Sequence, residues 1–92
     1  MRERILELIE HVADPRRPWQ HLEDLTGIGR HKWVNFHRGK QRATEEMIAK
    51  LGQMWPQYAY WLITGITDEK NGHTSPLLER IARDLSRVQK AG

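Results

Sequence analysis

Apolar residues recur at intervals of three and four along most of the chain, with polar residues between them. In residues 2–13, for example, Ile5, Leu8 and Val12 share one side of a helix, because one helical turn takes about 3.6 residues. No stretch shows the two-residue alternation of a half-buried strand. The pattern predicts an all-α chain of six helices, over residues 2–13, 18–26, 29–38, 44–55, 56–64 and 75–88.

Residues that favour helix ends lie between these segments. Thr44 and Ser75 are typical N-cap residues, and Pro76 suits the first position of a helix. Gly27 and Gly65 follow apolar segments, as expected of glycines that end helices in the left-handed conformation.

The last predicted helix follows a polar loop and carries a regular apolar seam. Its apolar residues recur at spacings of three and four, as in a coiled coil. They are Leu78, Ile81, Leu85 and Val88. We expect residues 67–92 to form a dimerisation element beside a domain over residues 1–66; the alternative is that the last helix folds back on its own core. The segment 56–64 is apolar on nearly every side, so it is either buried or a second candidate for the dimer contact.

Basic residues are concentrated in one region of a chain whose net charge is only +3. Residues 25–42 contain five Lys or Arg and no acidic residue, whereas residues 43–92 contain six of each kind. Such a patch is typical of a protein that binds a polyanion, and a solvated basic surface without a partner is the alternative.

The chain lacks the residue combinations that most enzymes and metal sites require. It has no cysteine, and none of its five histidines are spaced i, i+4 as in a helical metal site. Hydroxyl groups and carboxylates are scattered, and no glycine-rich phosphate loop is present. We therefore expect no enzymatic activity, no metal, no cofactor and no small-molecule ligand. Without a signal peptide or a membrane-length apolar run, we expect a cytoplasmic protein with no membrane partner.

The helix predicted at residues 29–38 has one apolar and one polar face. Trp33 and Phe36 lie three residues apart and are expected to face the core. The opposite side is rich in hydrogen-bond donors. A helix in the DNA major groove needs such donors, because arginine pairs with guanine and asparagine with adenine. The predicted base contacts are Arg30, His31, Lys32 and Asn35.

More cationic and polar side chains lie at and beyond the end of this helix, where a DNA backbone would pass. The predicted phosphate contacts there are Arg38, Lys40, Gln41 and Arg42. Arg17, in a short basic connection before the second helix, is a further candidate. The lack of carboxylates in residues 25–42 favours this interpretation, because a carboxylate would repel phosphate.

Residues 19–40 combine a turn glycine, four apolar positions and a basic ending. The residues are Gly27 in the turn, Leu22, Ile28, Trp33 and Phe36 at the apolar positions, and Arg38-Gly39-Lys40 at the end. In these features the stretch resembles the helix-turn-helix of the lambda repressor-like (Xre/Cro) family of small DNA-binding regulators. Residues 58–65 and 72–76 are similar to a phage- and prophage-type subgroup of these regulators from proteobacteria.

The resemblance implies a five-helix lambda repressor-like domain, here with an additional C-terminal helix. It also implies a sequence-specific transcriptional regulator that binds double-stranded DNA. We expect a dimeric repressor on a palindromic operator, in a bacterial or phage-infected cell. The resemblance adds Gln20 to the expected phosphate contacts. The alternative function is a non-enzymatic helical adaptor or protein-interaction module.

Four positions depart from the usual pattern of that family. Glu23 stands where the family usually has a small residue, and Thr26 where it usually has an apolar one. Trp19 stands where the family often has glutamine, and His37 where it commonly has glutamate. Glu23 bears on the angle between the two helices, because it lies where they approach each other.

Overall fold

The chain folds into six α-helices in the computed structural model, which describes the backbone of residues 1–91 and the side chains of residues 1–87. The helices are α1 (Arg2–Val12), α2 (Pro18–Thr26), α3 (Arg30–His37), α4 (Glu45–Met54), α5 (Ala59–Thr64) and α6 (Pro76–Ala91). Short 3₁₀ turns occur at Pro56–Tyr58 and Glu69–Asn71, and the backbone described forms no strand. The all-α prediction is therefore confirmed.

The helix ends lie close to where the sequence predicts them. The side-chain oxygens of Thr44 and Ser75 accept hydrogen bonds from the backbone N–H three residues on, at 3.1 and 3.2 Å. Both residues are therefore N-caps, as predicted. α3 is one residue shorter at each end than predicted, because Gly29 and Arg38 flank it as cap residues.

An apolar core joins the first five helices. Trp33 and Phe36 of α3 are 0% and 1% exposed, as their spacing predicts. The other helices of the body supply further buried apolar side chains. They include Ile5, Leu8, Ile9, Leu22, Met47, Leu51, Trp61 and Leu62. α3 is therefore held to the body along one side and presents its other side to solvent.

Two arginines in the first turn of α1 bind the C-terminal ends of other helices. Arg2 donates to Phe36 O at 2.6 Å and to His37 O at 3.0 Å, at the end of α3. Arg4 donates to Leu62 O at 2.9 Å, near the end of α5. Each guanidinium binds carbonyls in the last turn of a helix, and its charge complements the negative end of the helix dipole. Helical periodicity places both arginines at the borders of the apolar side of α1 but does not reveal these partners.

α6 is attached to the body at its first turn and carries two residues of its apolar seam in solvent. Leu78 is half-buried, whereas Ile81 and Leu85 are 45% and 58% exposed. The side chain of Val88 lies outside the described residues. Beyond Leu78, the described part of the seam does not fold back on the core. The dimer contact, and with it the division of the chain at residue 66, stays a prediction.

The segment at residues 56–64 is buried on one side only. Tyr58, Trp61 and Leu62 are buried, but Tyr60 and Ile63 are exposed. Packing within the chain accounts for the first set, and a partner against the second set stays a prediction. Within the part of the chain that the structure describes, no helix is both long and apolar enough to cross a membrane.

Candidate nucleic-acid interface

α2 and α3 meet at a tight corner built on Gly27 and Ile28. Gly27 has a φ of 74°, a left-handed conformation that favours glycine, and Ile28 is buried in the core. Thr26 Oγ1 donates to Leu22 O at 2.6 Å and accepts from Ile28 N at 3.2 Å. Because both roles of the hydroxyl are satisfied, a polar residue is accommodated at this buried position.

The carboxylate of Glu23 on α2 caps the start of α3. Gly29, the N-cap residue, has no side chain for this purpose, and Glu23 Oε1 accepts a hydrogen bond from Arg30 N at 3.4 Å. The negative charge also complements the positive end of the α3 dipole. Glu23 therefore joins the two helices at a position where the family resemblance leads one to expect a small residue.

Gln20 links this carboxylate to the guanidinium of Arg30. Its Nε2 donates to Glu23 Oε2 at 2.9 Å and to Asp24 Oδ1 at 3.0 Å. Its Oε1 accepts from Arg30 Nη1 at 3.2 Å. The network orients Arg30 before any partner is bound. A phosphate contact by Gln20 stays a prediction, and it would require part of this network to open, because both polar atoms of the amide are engaged.

The four predicted base contacts lie on one helix, beside the residues that anchor it. Arg30, His31 and Lys32 are exposed in the first turn of α3, and Asn35 is half-buried one turn later. We refer to these four residues as the reading face. α3 itself contains no acidic residue, so no carboxylate on this helix competes with a nucleic acid for the donors.

The C-terminal end of α3 is fixed as firmly as its start. Gly39, with a φ of 78°, closes the helix in a Schellman motif whose backbone hydrogen bonds are 2.8 and 3.0 Å long. The guanidinium of Arg2 binds the last carbonyls and lies 4.8 Å from the centre of the Phe36 ring. A charged side chain from another helix therefore holds each end of α3, Glu23 at the start and Arg2 at the end.

The polar residues beyond α3 border an open hollow of about 610 Å³. Its lining includes Lys40, Gln41 and Arg42, and it brings Arg2 to them from the start of the chain. Arg38, Lys40 and Arg42 are exposed, and Gln41 is half-buried. We refer to this feature as the basic hollow. Arg2 was not expected here, because periodicity carries no signal for contacts between distant segments.

Arg17 lies apart from the basic hollow. Together with Gln20 it lines a smaller depression of about 140 Å³ at the start of α2. Asp14 and Asp24 line the same depression. Because these carboxylates weaken the attraction for phosphate, Arg17 is the predicted phosphate contact with the least support.

Two of the departures from the family pattern meet in space. The rings of Trp19 and His37 pack together, with centroids 5.0 Å apart and planes tilted by 49°. Trp19 lies in the first turn of α2 and His37 in the last turn of α3. An aromatic contact therefore joins the start of α2 to the end of α3.

No protein-family model, curated protein or solved structure matches the chain. Among the residues that the structure describes, no group of three or more His, Cys, Asp or Glu side chains is arranged to hold a metal ion.

Proposed function

We propose that the chain is a sequence-specific regulator of transcription that binds double-stranded DNA with α3 in the major groove. In this proposal α2 and α3 form a lambda repressor-like helix-turn-helix. The observation that carries it is that α3 is held in a fixed position. Its own aromatic side chains are buried in the core, and charged side chains from other helices bind both of its ends. A helix held in this way presents its reading face in one geometry, which direct readout of base edges requires.

The distribution of charge supports a nucleic acid as the partner. Residues 25–42 hold five basic side chains and no acidic one. Phosphate contacts supply a large share of the affinity of DNA-binding proteins and fix their orientation on the duplex. We expect the basic hollow and Arg38 to hold phosphates while the reading face contacts bases.

We further propose that the protein acts as a dimer. α3 has eight residues and can read only a few base pairs. Two copies on half-sites one helical turn apart, about 34 Å, would give useful specificity. The exposed apolar side chains of α6 favour this helix as the dimer contact, because exposed apolar surface is a mark of interaction sites. A dimer bound to its operator would block access of other proteins to that DNA, so repression is the expected outcome.

Selection of bound sequences from a random DNA pool tests the proposal. We expect a palindromic sequence to be enriched, bound about 10³-fold or more tighter than unrelated DNA. The logarithm of its binding constant should fall linearly with the logarithm of the salt concentration, with a slope of about −0.9 for each phosphate neutralised. If the intact protein enriches no sequence from the pool, the assignment is wrong.

A helical adaptor that binds another protein is the second candidate. It is favoured by exposed apolar side chains outside the reading face, among them Ile63, Ile66 and Leu77. The same selection separates the two functions, because an adaptor would enrich no DNA sequence. Its complex with a protein partner would instead depend weakly on salt, since apolar contacts are not screened by ions.

A further inference from the structure

α6 is joined to the body by side chains from three separate elements. We refer to His11 of α1, Tyr58 of the 3₁₀ turn and Glu79 of α6 as the polar junction. The Tyr58 hydroxyl donates to Glu79 Oε2, and His11 Nε2 lies 3.2 Å from the same oxygen and 3.1 Å from the hydroxyl. The rings of His11 and Tyr58 also pack edge to face, with centroids 5.7 Å apart. One carboxylate oxygen therefore ties the first turn of α6 to two elements of the body.

Among the side chains that the structure describes, those of α6 that contact the body lie in its first turn, which we refer to as the root of the helix. The two body residues of the polar junction are 3% and 13% exposed, so they are fixed in the body. Ser75 and Pro76 at the start of the helix are buried as well, and Thr74 N donates to Gln57 O at 3.0 Å. From residue 80 to residue 87, every side chain of α6 is exposed. Over its described residues, the helix is therefore held to the body at its N-terminal end and projects into solvent beyond it.

We propose that the Glu79 carboxylate sets the angle at which α6 leaves the body, and thereby the half-site spacing that a dimer accepts. The inference rests on the proposed function, since spacing matters only to a DNA-binding dimer joined through α6. Glu79 is a positioning residue in this scheme, because it acts through α6 and touches no DNA.

Because α6 is long, a small change of the angle at its root moves its far end by several ångströms. A helix of 16 residues is about 24 Å long, so a tilt of about 10° at the root moves its far end by about 4 Å. One base pair shifts a half-site by about 3.4 Å along the duplex and about 34° around it. A small change of angle at Glu79 is therefore comparable with the difference of one base pair in spacing.

The angle can be measured without DNA. Because the chain has no cysteine, Ala49→Cys on α4 and Ser86→Cys on α6 attach two spin labels at exposed positions only. With unlabelled protein in excess, the distance distribution between the labels reports the angle within one chain. We expect a single narrow distance when Glu79 is present. In Glu79→Ala we expect a distribution about twofold broader, because the hydrogen bonds of the polar junction are lost.

The spacing preference is measured on the selected operator and on versions with one base pair added or removed between the half-sites. We expect the wild-type protein to bind the altered operators about tenfold or more weakly, and Glu79→Ala to discriminate by less than about threefold. Glu79→Gln keeps an acceptor oxygen and should restore most of the discrimination. Asp84→Ala removes a carboxylate from the exposed part of α6 and is the matched control, expected to behave as wild type.

The inference is overturned if Glu79→Ala keeps both the narrow distance and the spacing preference, or if Asp84→Ala changes them equally. Loss of thermal stability with an unchanged spacing preference would also overturn it, since that is the result of a merely stabilising role. If Glu79→Ala does not fold, Tyr58→Phe, which removes only the hydroxyl, decides by the same two measurements.

A wild-type protein that prefers no DNA sequence would overturn the proposed function and the claim about spacing. The label distances would then still show whether Glu79 holds α6.

Discussion

α3 exposes one side to solvent, whereas α6 exposes every side chain from residue 80 to residue 87, and the two helices are held in different ways. α3 is buried along one side by Trp33 and Phe36 and is capped at its ends by Glu23 and Arg2. α6 is twice as long, at 16 residues against eight, and is held at its first turn through Glu79. The exposed face of α3 is polar, whereas the exposed surface of α6 includes an apolar face with Ile81 and Leu85. Such faces suit a polyanion and an apolar partner respectively.

The largest expected effect is that of Trp33→Ala, which removes a large aromatic side chain through which α3 packs against the core. Trp33 is fully buried, so the truncation leaves a cavity, and the free energy of unfolding should fall by about 3–5 kcal/mol. Urea unfolding followed by circular dichroism measures it. Leu85→Ala on α6 is the control, and in dilute monomer it should cost less than about 0.5 kcal/mol because the side chain is exposed. Similar losses in the two variants would contradict the difference between the helices.

Substitutions on the exposed seam of α6 should instead weaken dimerisation and leave the stability of the folded chain unchanged. Ile81→Asp places a charge on the exposed seam, and we expect dimerisation to weaken about 100-fold, as for loss of an apolar anchor worth roughly 2–3 kcal/mol. Sedimentation equilibrium measures the dissociation constant. Ser86→Asp adds the same charge on α6 beside the seam and should leave the dimer intact. An Ile81→Asp protein that dimerises as wild type would move the dimer contact away from this face.

The two helices also differ in how far the sequence predicts them. The buried side of α3 follows from the spacing of Trp33 and Phe36, and the polar side follows from the residues between them. The contacts at its ends do not follow, because Arg2 reaches it from 34 residues away and Glu23 from seven residues away across the turn. Periodicity describes the faces of a helix, but it does not identify the distant side chains that meet its ends.

For α6, the sequence predicts the seam but not its surroundings. The three- and four-residue spacing is the same whether the seam packs on its own core or on a second copy, and only the fold shows Ile81 in solvent. The partners of Glu79 are equally hidden, because they depend on where the loop over residues 65–75 returns the chain. That path brings Glu79 to Tyr58, 21 residues before it.

The reading face can be tested against the basic hollow. Arg30→Ala should reduce discrimination between bases by about 1–3 kcal/mol at one position of the operator. Lys40→Ala should instead weaken binding to all sequences alike and lower the salt slope by about one. Titrations with matched and mismatched operators at several salt concentrations measure both effects.

Lys70→Ala, in the exposed 3₁₀ turn, removes the same charge away from α3 and is the control. If Arg30→Ala leaves the preference among operators unchanged, Arg30 does not read a base and the assignment of the reading face is wrong.

A smaller effect is expected when the cap of α3 is removed. Glu23→Ala should lower the free energy of unfolding by about 1 kcal/mol, as for other helix caps, and should remove one of the two carboxylates that hold the Gln20 amide against Arg30. Chemical unfolding measures the first effect, and relaxed base preference in a repeated DNA selection measures the second. Glu10→Ala removes an exposed carboxylate from α1 and is the control. If Glu23→Ala matches this control in both measurements, the carboxylate does not fix the start of α3.

The smallest expected effect concerns the root of α6 and is read through pH. Hydrogen bonds from Tyr58 and His11, with the charge of Arg83, lower the pKa of Glu79 below its ordinary value of 4.5, against desolvation. Because the pKa is lower in the folded chain, the stabilisation is fully present above pH 4.5 and is lost as pH falls through the lowered value. The side chain of Glu79 is 37% exposed, so solvent screening keeps the effect small.

Glu79→Gln removes the titrating carboxyl group, so the two proteins should differ in how steeply Tm falls with pH. Between about pH 5 and pH 3, the Tm of the wild-type protein should fall more steeply than that of Glu79→Gln, while Asp84→Asn should follow the wild type. At the alkaline end, burial and the bond to Glu79 raise the pKa of Tyr58 to about 12. Its contribution is therefore present below pH 10 and is lost as pH rises through 12. Equal acid slopes for wild type and Glu79→Gln would mean that the carboxylate charge adds nothing measurable at the root of α6, and that only neutral hydrogen bonds and packing distinguish the root from the exposed remainder of the helix.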